Sequence, residues 1–221
     1  MTASLGRKDL DDLIMQGTAE ELRGALLDSK MRGKLRRRIV SLLNSPDPDT
    51  KWRAALAMGI AAAEGVLPAA KVEQHVQRFL WAMNDESGAV PFGVPEALGE
   101  LLAARPEFQR RILPILVSYL VSEEIYQTGS ILAGAIWALG RVGLESEDGR
   151  KRALPGLRAA LGSAAPEVRG AALWTLKRLG LGAEVGPEIL PLREDKAVIR
   201  LLVDGEIMSC ELGQLAREAV G

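Results

Sequence analysis

Apolar residues recur at intervals of three and four through most of the chain, as in Ile112, Ile115, Leu116 and Tyr119. This spacing predicts amphipathic helices rather than strands. Four segments also repeat one another: Asp47–Gly59 (DPDTKWRAALAMG), Ser87–Gly99 (SGAVPFGVPEALG), Thr128–Gly140 (TGSILAGAIWALG) and Ala165–Lys177 (APEVRGAALWTLK). Their anchor residues Met58, Leu98, Leu139 and Leu176 lie 40, 41 and 37 positions apart. Each segment follows another helical stretch, respectively Gly33–Leu43, Lys71–Met83, Phe108–Val121 and Arg150–Leu161. Helix pairs repeating every forty or so residues predict a mainly α solenoid, in which each repeat buries its apolar face against its neighbours. Pro114 and Pro155 sit 41 positions apart in two of the preceding stretches. They predict either a repeated kink in the outer helices or two helix starts.

The flanks break the pattern. Residues 8–29 read as one or two short helices, with Thr18 and Glu21 spaced as a capping box. Near the other end, Val198–Val203 and Glu206–Cys210 flank Asp204-Gly205, the strongest short-range signal for a tight hairpin, and Leu212–Val220 follows as a helix. The expected organisation is therefore capping helices over 1–32, repeats over 33–186 and a ββα appendage over 187–221. That appendage reads as a cap on the last repeat, with a docking strand for a partner as the sharper alternative.

Counting from each anchor residue sorts the second helices into two sides. Positions −8, −4, −1 and 0 carry Thr50/Val90/Ile131/Val168, Ala54/Val94/Ala135/Ala172, small residues and the anchors, and form the core side. Positions −6, −2 and +2 point the other way, toward the concave surface of a solenoid. Position −2 holds Leu56, Glu96, Trp137 and Trp174; position −6 holds Trp52, Phe92, Ala133 and Gly170. Trp52, Phe92, Trp137 and Trp174 would thus form an aromatic stripe along the groove, and an exposed stripe marks a binding surface. The alternative is that a strongly curved solenoid closes over these rings, or that a terminal segment covers them, and they serve as filling. Position +2 holds Ile60, Glu100, Arg141 and Arg178. Glu96 and Glu100 repel one another on one helix face, and a Glu100–Arg141 ion pair is the simplest compensation. Glu96 between Phe92 and Trp137 also has the composition of a cation site. The stretch Asn84-Asp85-Glu86-Ser87-Gly88 is a candidate loop near the groove, with Asp85 and Glu86 as possible hard oxygen ligands or helix caps.

Composition narrows the functional classes. The chain of 221 residues is 48% hydrophobic but only 4% aromatic, so its core is aliphatic. Net charge is −1, which gives no global case for nucleic acid or an anionic membrane; the run Lys30, Arg32, Lys34, Arg36, Arg37 and Arg38 reads as a solvated helix face. Single residues Cys210 and His75 exclude an intrachain disulfide and leave no set for a metal or a catalytic triad. No signal-peptide pattern is visible, and Ile112–Val121 is too short to span a bilayer. A cytoplasmic protein without cofactor is the expectation, with its oligomeric state open.

Asp47-Pro48-Asp49-Thr50-Lys51 and Ala165-Pro166-Glu167-Val168-Arg169, each followed by an Ala-rich stretch, resemble the second helix of HEAT repeats of the short bacterial type found in phycobilisome-lyase-like proteins. Asn84–Gly88 and Pro95–Glu100 are also similar to a group of uncharacterised bacterial HEAT-repeat proteins. The resemblance covers roughly residues 33–180 and implies a right-handed α–α superhelix; Pro91 and Leu132 depart from it where the pattern has a basic residue. Two functions follow as expectations. The first is a non-catalytic scaffold that holds a protein, peptide or planar ligand through Trp52, Phe92, Glu96, Glu100, Trp137, Arg141, Trp174 and Arg178. The second is an enzyme of this fold, either glycosylase-like on alkylated DNA bases through Glu96 with Arg53, Arg141 and Arg178, or chromophore lyase-like. No side-chain set in the chain pairs a nucleophile with an activating base, which favours the scaffold.

Overall fold

The structure is a computed structural model that describes residues 6–84, 92–121 and 129–220. Two short helices, α1 (Arg7–Gln16) and α2 (Ala19–Leu27), precede four helix pairs. The first helices of the pairs are α3 (Ser29–Leu42), α5 (Ala69–Met83), α7 (Gln109–Val121) and α9 (Glu147–Leu161). The second helices are α4 (Pro48–Ala63), α6 (Val94–Ala104), α8 (Gly129–Val142) and α10 (Pro166–Leu179). Each first helix packs on its own second helix, and α4, α6, α8 and α10 stack in succession as the inner layer. A one-turn helix α11 (Gly186–Ile189), two strands, β1 (Val198–Val203) and β2 (Glu206–Glu211), and α12 (Leu212–Val220) complete the chain.

Local chemistry sets the element ends. Thr18 accepts from the Glu21 backbone N–H while the Glu21 carboxylate accepts from Thr18 N–H at 2.7 Å, closing the expected capping box. Asp47 caps α4 through Thr50 N–H, and α6 begins at Val94, so Pro95 occupies the first turn, where its missing N–H costs nothing. Pro114 and Pro155 lie inside α7 and α9, so neither marks a helix start.

Glycines bring the inner helices unusually close. A Cβ on Gly59 would lie 2.6 Å from Glu100 of α6, one on Gly99 would lie 2.8 Å from Ala138 of α8, and one on Gly140 would lie 2.6 Å from Thr175 of α10. These three positions each follow an anchor residue, so close approach is repeated from pair to pair and bends the inner layer tightly. The bend is strong enough for Trp52 of the first pair to touch Trp137 of the third, with ring centroids 4.7 Å apart.

The appendage packs on the last repeat through α12 and β1, and its hairpin also reaches α4 of the first pair. β1 and β2 pair antiparallel, with Val203 opposite Glu206 across a two-residue turn. Asp204 and Gly205 have φ of 49° and 91°, the left-handed pair that a type I′ turn requires. This hairpin enters the concave side, where Ile199, Leu201 and Leu202 are buried. Ile199 sits so close to Gly170 of α10 that any side chain there would collide with it. Arg200 forms a fork with Asp49 at 2.7 and 2.8 Å, and Arg169 binds Asp195 at 2.7 Å, so both ends of the inner layer hold the hairpin.

Candidate functional site

The groove residues converge on the concave side, but most are covered. Trp52, Trp137 and Trp174 retain 4%, 1% and 6% of their surface, and Glu96 and Glu100 are buried too. The expectation of an exposed tryptophan stripe is therefore corrected, and the filling alternative describes these rings. Curvature brings them together: Trp52 meets Trp137 edge-on and Trp137 stacks on Trp174 at 5.8 Å. The hairpin then seals them. Trp52 Nε1 donates to the Arg200 carbonyl at 3.1 Å and Trp137 Nε1 to the Leu202 carbonyl at 3.0 Å. In a two-residue hairpin with this register, residues 200 and 202 turn their carbonyls away from the partner strand, so the indoles complete the open edge of β1. Phe92, Arg141 and Arg178 remain exposed, Arg178 lying over the Trp174 ring at 5.7 Å.

Charges on this side are paired within the chain. Glu100 lies against Gly59 and accepts from Arg141 at 2.7 and 3.3 Å, which is the compensation anticipated from the spacing. Glu96 lies flat on Gly134, where a Cβ would come within 2.8 Å of its carboxyl carbon, and its Oε1 accepts from Lys51 Nζ at 2.7 Å. The same ammonium stands 5.2 Å from the Trp52 ring centre. The cation beside this carboxylate is thus Lys51 of the chain itself, and the ring it meets is that of Trp52 rather than Phe92 or Trp137. Arg53, grouped with the groove arginines in the enzyme reading, instead donates to the carbonyls of Ile14 and Gly17 at the end of α1. Burial lowers its pKa, and its role is to fasten α1 to α4.

One opening remains beside the hairpin. A cavity of about 420 Å³ is walled by Trp52, Phe92, Ala133, Trp137 and β1, with Lys51 and Glu96 in its lining. Glu96 Oε2 is fully buried and has no hydrogen-bond partner among the described residues. A buried, unpaired carboxylate oxygen is costly, so it singles this point out chemically. A larger cavity of about 850 Å³ lies in the outer layer between α7 and the start of α9, with Leu113, Val117 and Leu144 among its lining residues. None of the buried carboxylates borders it.

Asn84 closes α5 by donating to the Leu80 carbonyl at 2.8 Å, while Asp85, Glu86 and Ser87 lie outside the described residues. Among the described residues no group of three His, Cys, Asp or Glu side chains could hold a metal, and no helix is long and apolar enough to cross a membrane. Sequence reasoning overlooked Trp81, which is 77% exposed on α5. It stands outside the four aligned segments, and only the placement of α5 in the outer layer could have drawn notice to it.

Residues 130–179, spanning α8 to α10, match the family model of the HEAT-like repeat. No curated protein sequence matches the chain. Among solved structures, the designed armadillo repeat protein YIII(Dq)4CqI superposes with a TM-score of 0.53 at 15% identity, over 97% of this chain and 91% of that one. Computationally designed armadillo repeat proteins for modular peptide recognition give 0.51 at 15%, over 96% and 90%. A further engineered protein gives 0.50 at 19%, over 97% and 88%. At these identities the likeness shows the fold, a solenoid of the armadillo and HEAT kind.

Proposed function

We propose that this HEAT-type repeat protein is a non-catalytic cytoplasmic scaffold whose concave cavity receives one side chain of a protein partner. The observation that carries this reading is the unpartnered Glu96 Oε2 in the lining of a cavity walled by Trp52, Phe92 and Trp137. A side chain with N–H donors and a planar or cationic head, arginine or glutamine, satisfies that oxygen and stacks between the rings. Lys51 already shows the chemistry in miniature, since its ammonium contacts both Glu96 and Trp52. Phe92, Arg141 and Arg178, exposed around the concave side, would meet the rest of the partner. The resemblance of Asp47–Lys51 and Ala165–Arg169 to the short bacterial HEAT type adds no activity to this reading, since fold alone carries none.

Selection of a displayed ten-residue peptide library on the immobilised protein tests the proposal. Enrichment of one arginine or glutamine, with binding lost on Ala133→Trp, which fills the cavity, is the expected result. Peptides without such a residue, or binding that survives Ala133→Trp in a folded variant, overturn it.

A further inference from the structure

Net charge conceals an uneven distribution. The four outer helices α3, α5, α7 and α9 together carry 14 Lys and Arg against 3 Asp and Glu. The four inner helices carry 6 against 4, so the near-neutral total arises from acidic residues elsewhere. The imbalance is greatest on α3, with six cations and no acidic residue, while α5 adds two cations against one carboxylate. α3 has no carboxylate, and the single one on α5, Glu73, is taken by Arg111 of α7 and by Gln77. On α3, Lys30, Lys34 and Arg37 are exposed at helical spacing; on α5, Lys71, Arg78 and Trp81 are exposed at the same spacing. Arg36 of α3 and His75 of α5 are half-buried, and the charge of Arg36 acts on His75. Burial, then the charges of Arg36, Arg78 and Lys71, hold His75 below its usual pKa.

We infer that this outer α3–α5 face binds single-stranded nucleic acid, with Lys71, Arg37 and Arg78 on phosphates and Trp81 as a stacking platform for a base. Exposed cations such as Arg37, Lys71 and Arg78, which form no ion pair among the described residues, attract a phosphate backbone, and guanidinium groups match phosphate oxygens in fork geometry. An indole left 77% exposed among such cations offers the sequence-tolerant stacking that single strands use. An anionic membrane would require a broad apolar face, and Trp81 is the only large apolar side chain strongly exposed on α3 or α5. This surface lies on the opposite side from the peptide cavity and does not depend on it.

Fluorescence anisotropy with labelled oligo(dT) and oligo(U) twenty-mers tests the inference. Binding at 50 mM salt should weaken about 20-fold at 200 mM if these three cations each engage a phosphate. Arg37→Glu/Lys71→Glu/Arg78→Glu should weaken it at least about tenfold and flatten the salt dependence. Trp81→Ala should cost about tenfold, and oligonucleotide should quench the iodide-accessible tryptophan emission, which belongs to Trp81. Unaltered thermal melting of the variants confirms that they fold. No binding at 50 mM salt, or undiminished binding by the folded triple variant, overturns the assignment. Equal competition by polyglutamate, or preferential sedimentation with phosphatidylserine vesicles, also overturns it in favour of another anionic partner.

Discussion

The two faces of the solenoid treat the same kinds of residue in opposite ways. On the concave side three tryptophans are buried, Glu96 and Glu100 rest on glycines, and their charges are neutralised by Lys51 and Arg141. On the outer side Trp81 projects into solvent and α3 carries six cations and no carboxylate of its own. In a repeat protein each helix pair has one layer for cohesion and one for display. In this chain the layer usually credited with recognition has largely become core, because a hairpin fills it, while the layer usually credited with solubility holds the open chemical surface.

The strongest way to break that comparison is to truncate a tryptophan on each side. Trp137→Ala should lower stability by about 3–5 kcal/mol in urea denaturation, as for other large buried side chains. Trp81→Ala should stay within about 0.5 kcal/mol, as for surface changes. Equal losses would mean that the two layers are not distinct. A smaller effect is expected at the glycine contacts: Gly140→Ala, which drives a Cβ into Thr175 and the Trp174 ring, should cost about 1–3 kcal/mol. If the rings retreat with the hairpin, its Trp emission should also shift to longer wavelength.

The subtlest test uses the sole histidine. Because His75 is held below the ordinary value of about 6.5, the unfolded chain takes up the proton first as pH falls. Stability contributed by neutral His75 is therefore present above about pH 6.5, declines below it, and levels off once the folded imidazole also protonates. The His75 ring proton signal should titrate below the free-histidine value, and Arg78→Glu should move its midpoint upward.

Much of this was legible in the chain. The paired helices followed from period, the capping box from Thr18 and Glu21, and the hairpin from Asp204-Gly205. The side on which Trp52, Trp137 and Trp174 lie was also readable from helical phase. Their burial was not, because it depends on how tightly the inner layer bends. That bend is set by contacts such as Gly59 to Glu100 and Gly140 to Thr175, between residues more than thirty positions apart. The seating of β1 was hidden for a similar reason: its partners are indole N–H groups, which no strand pattern announces. The basic run of α3 was visible in the sequence as a solvated face, but the excess of cations over the whole outer layer was not, because net charge averages over layers that only the fold separates.

A solenoid whose units touch only their neighbours can gain or lose a unit and remain sound. This one cannot do so freely. Arg200 reaches Asp49 across 151 residues and accepts from Trp52 across 148, while the same strand seats Ile199 on Gly170 of the fourth pair. The hairpin spans a fixed distance between the first and last inner helices, so it acts as a gauge of array length. A duplicated pair would carry one anchor out of reach of the other, and the chain is held at four.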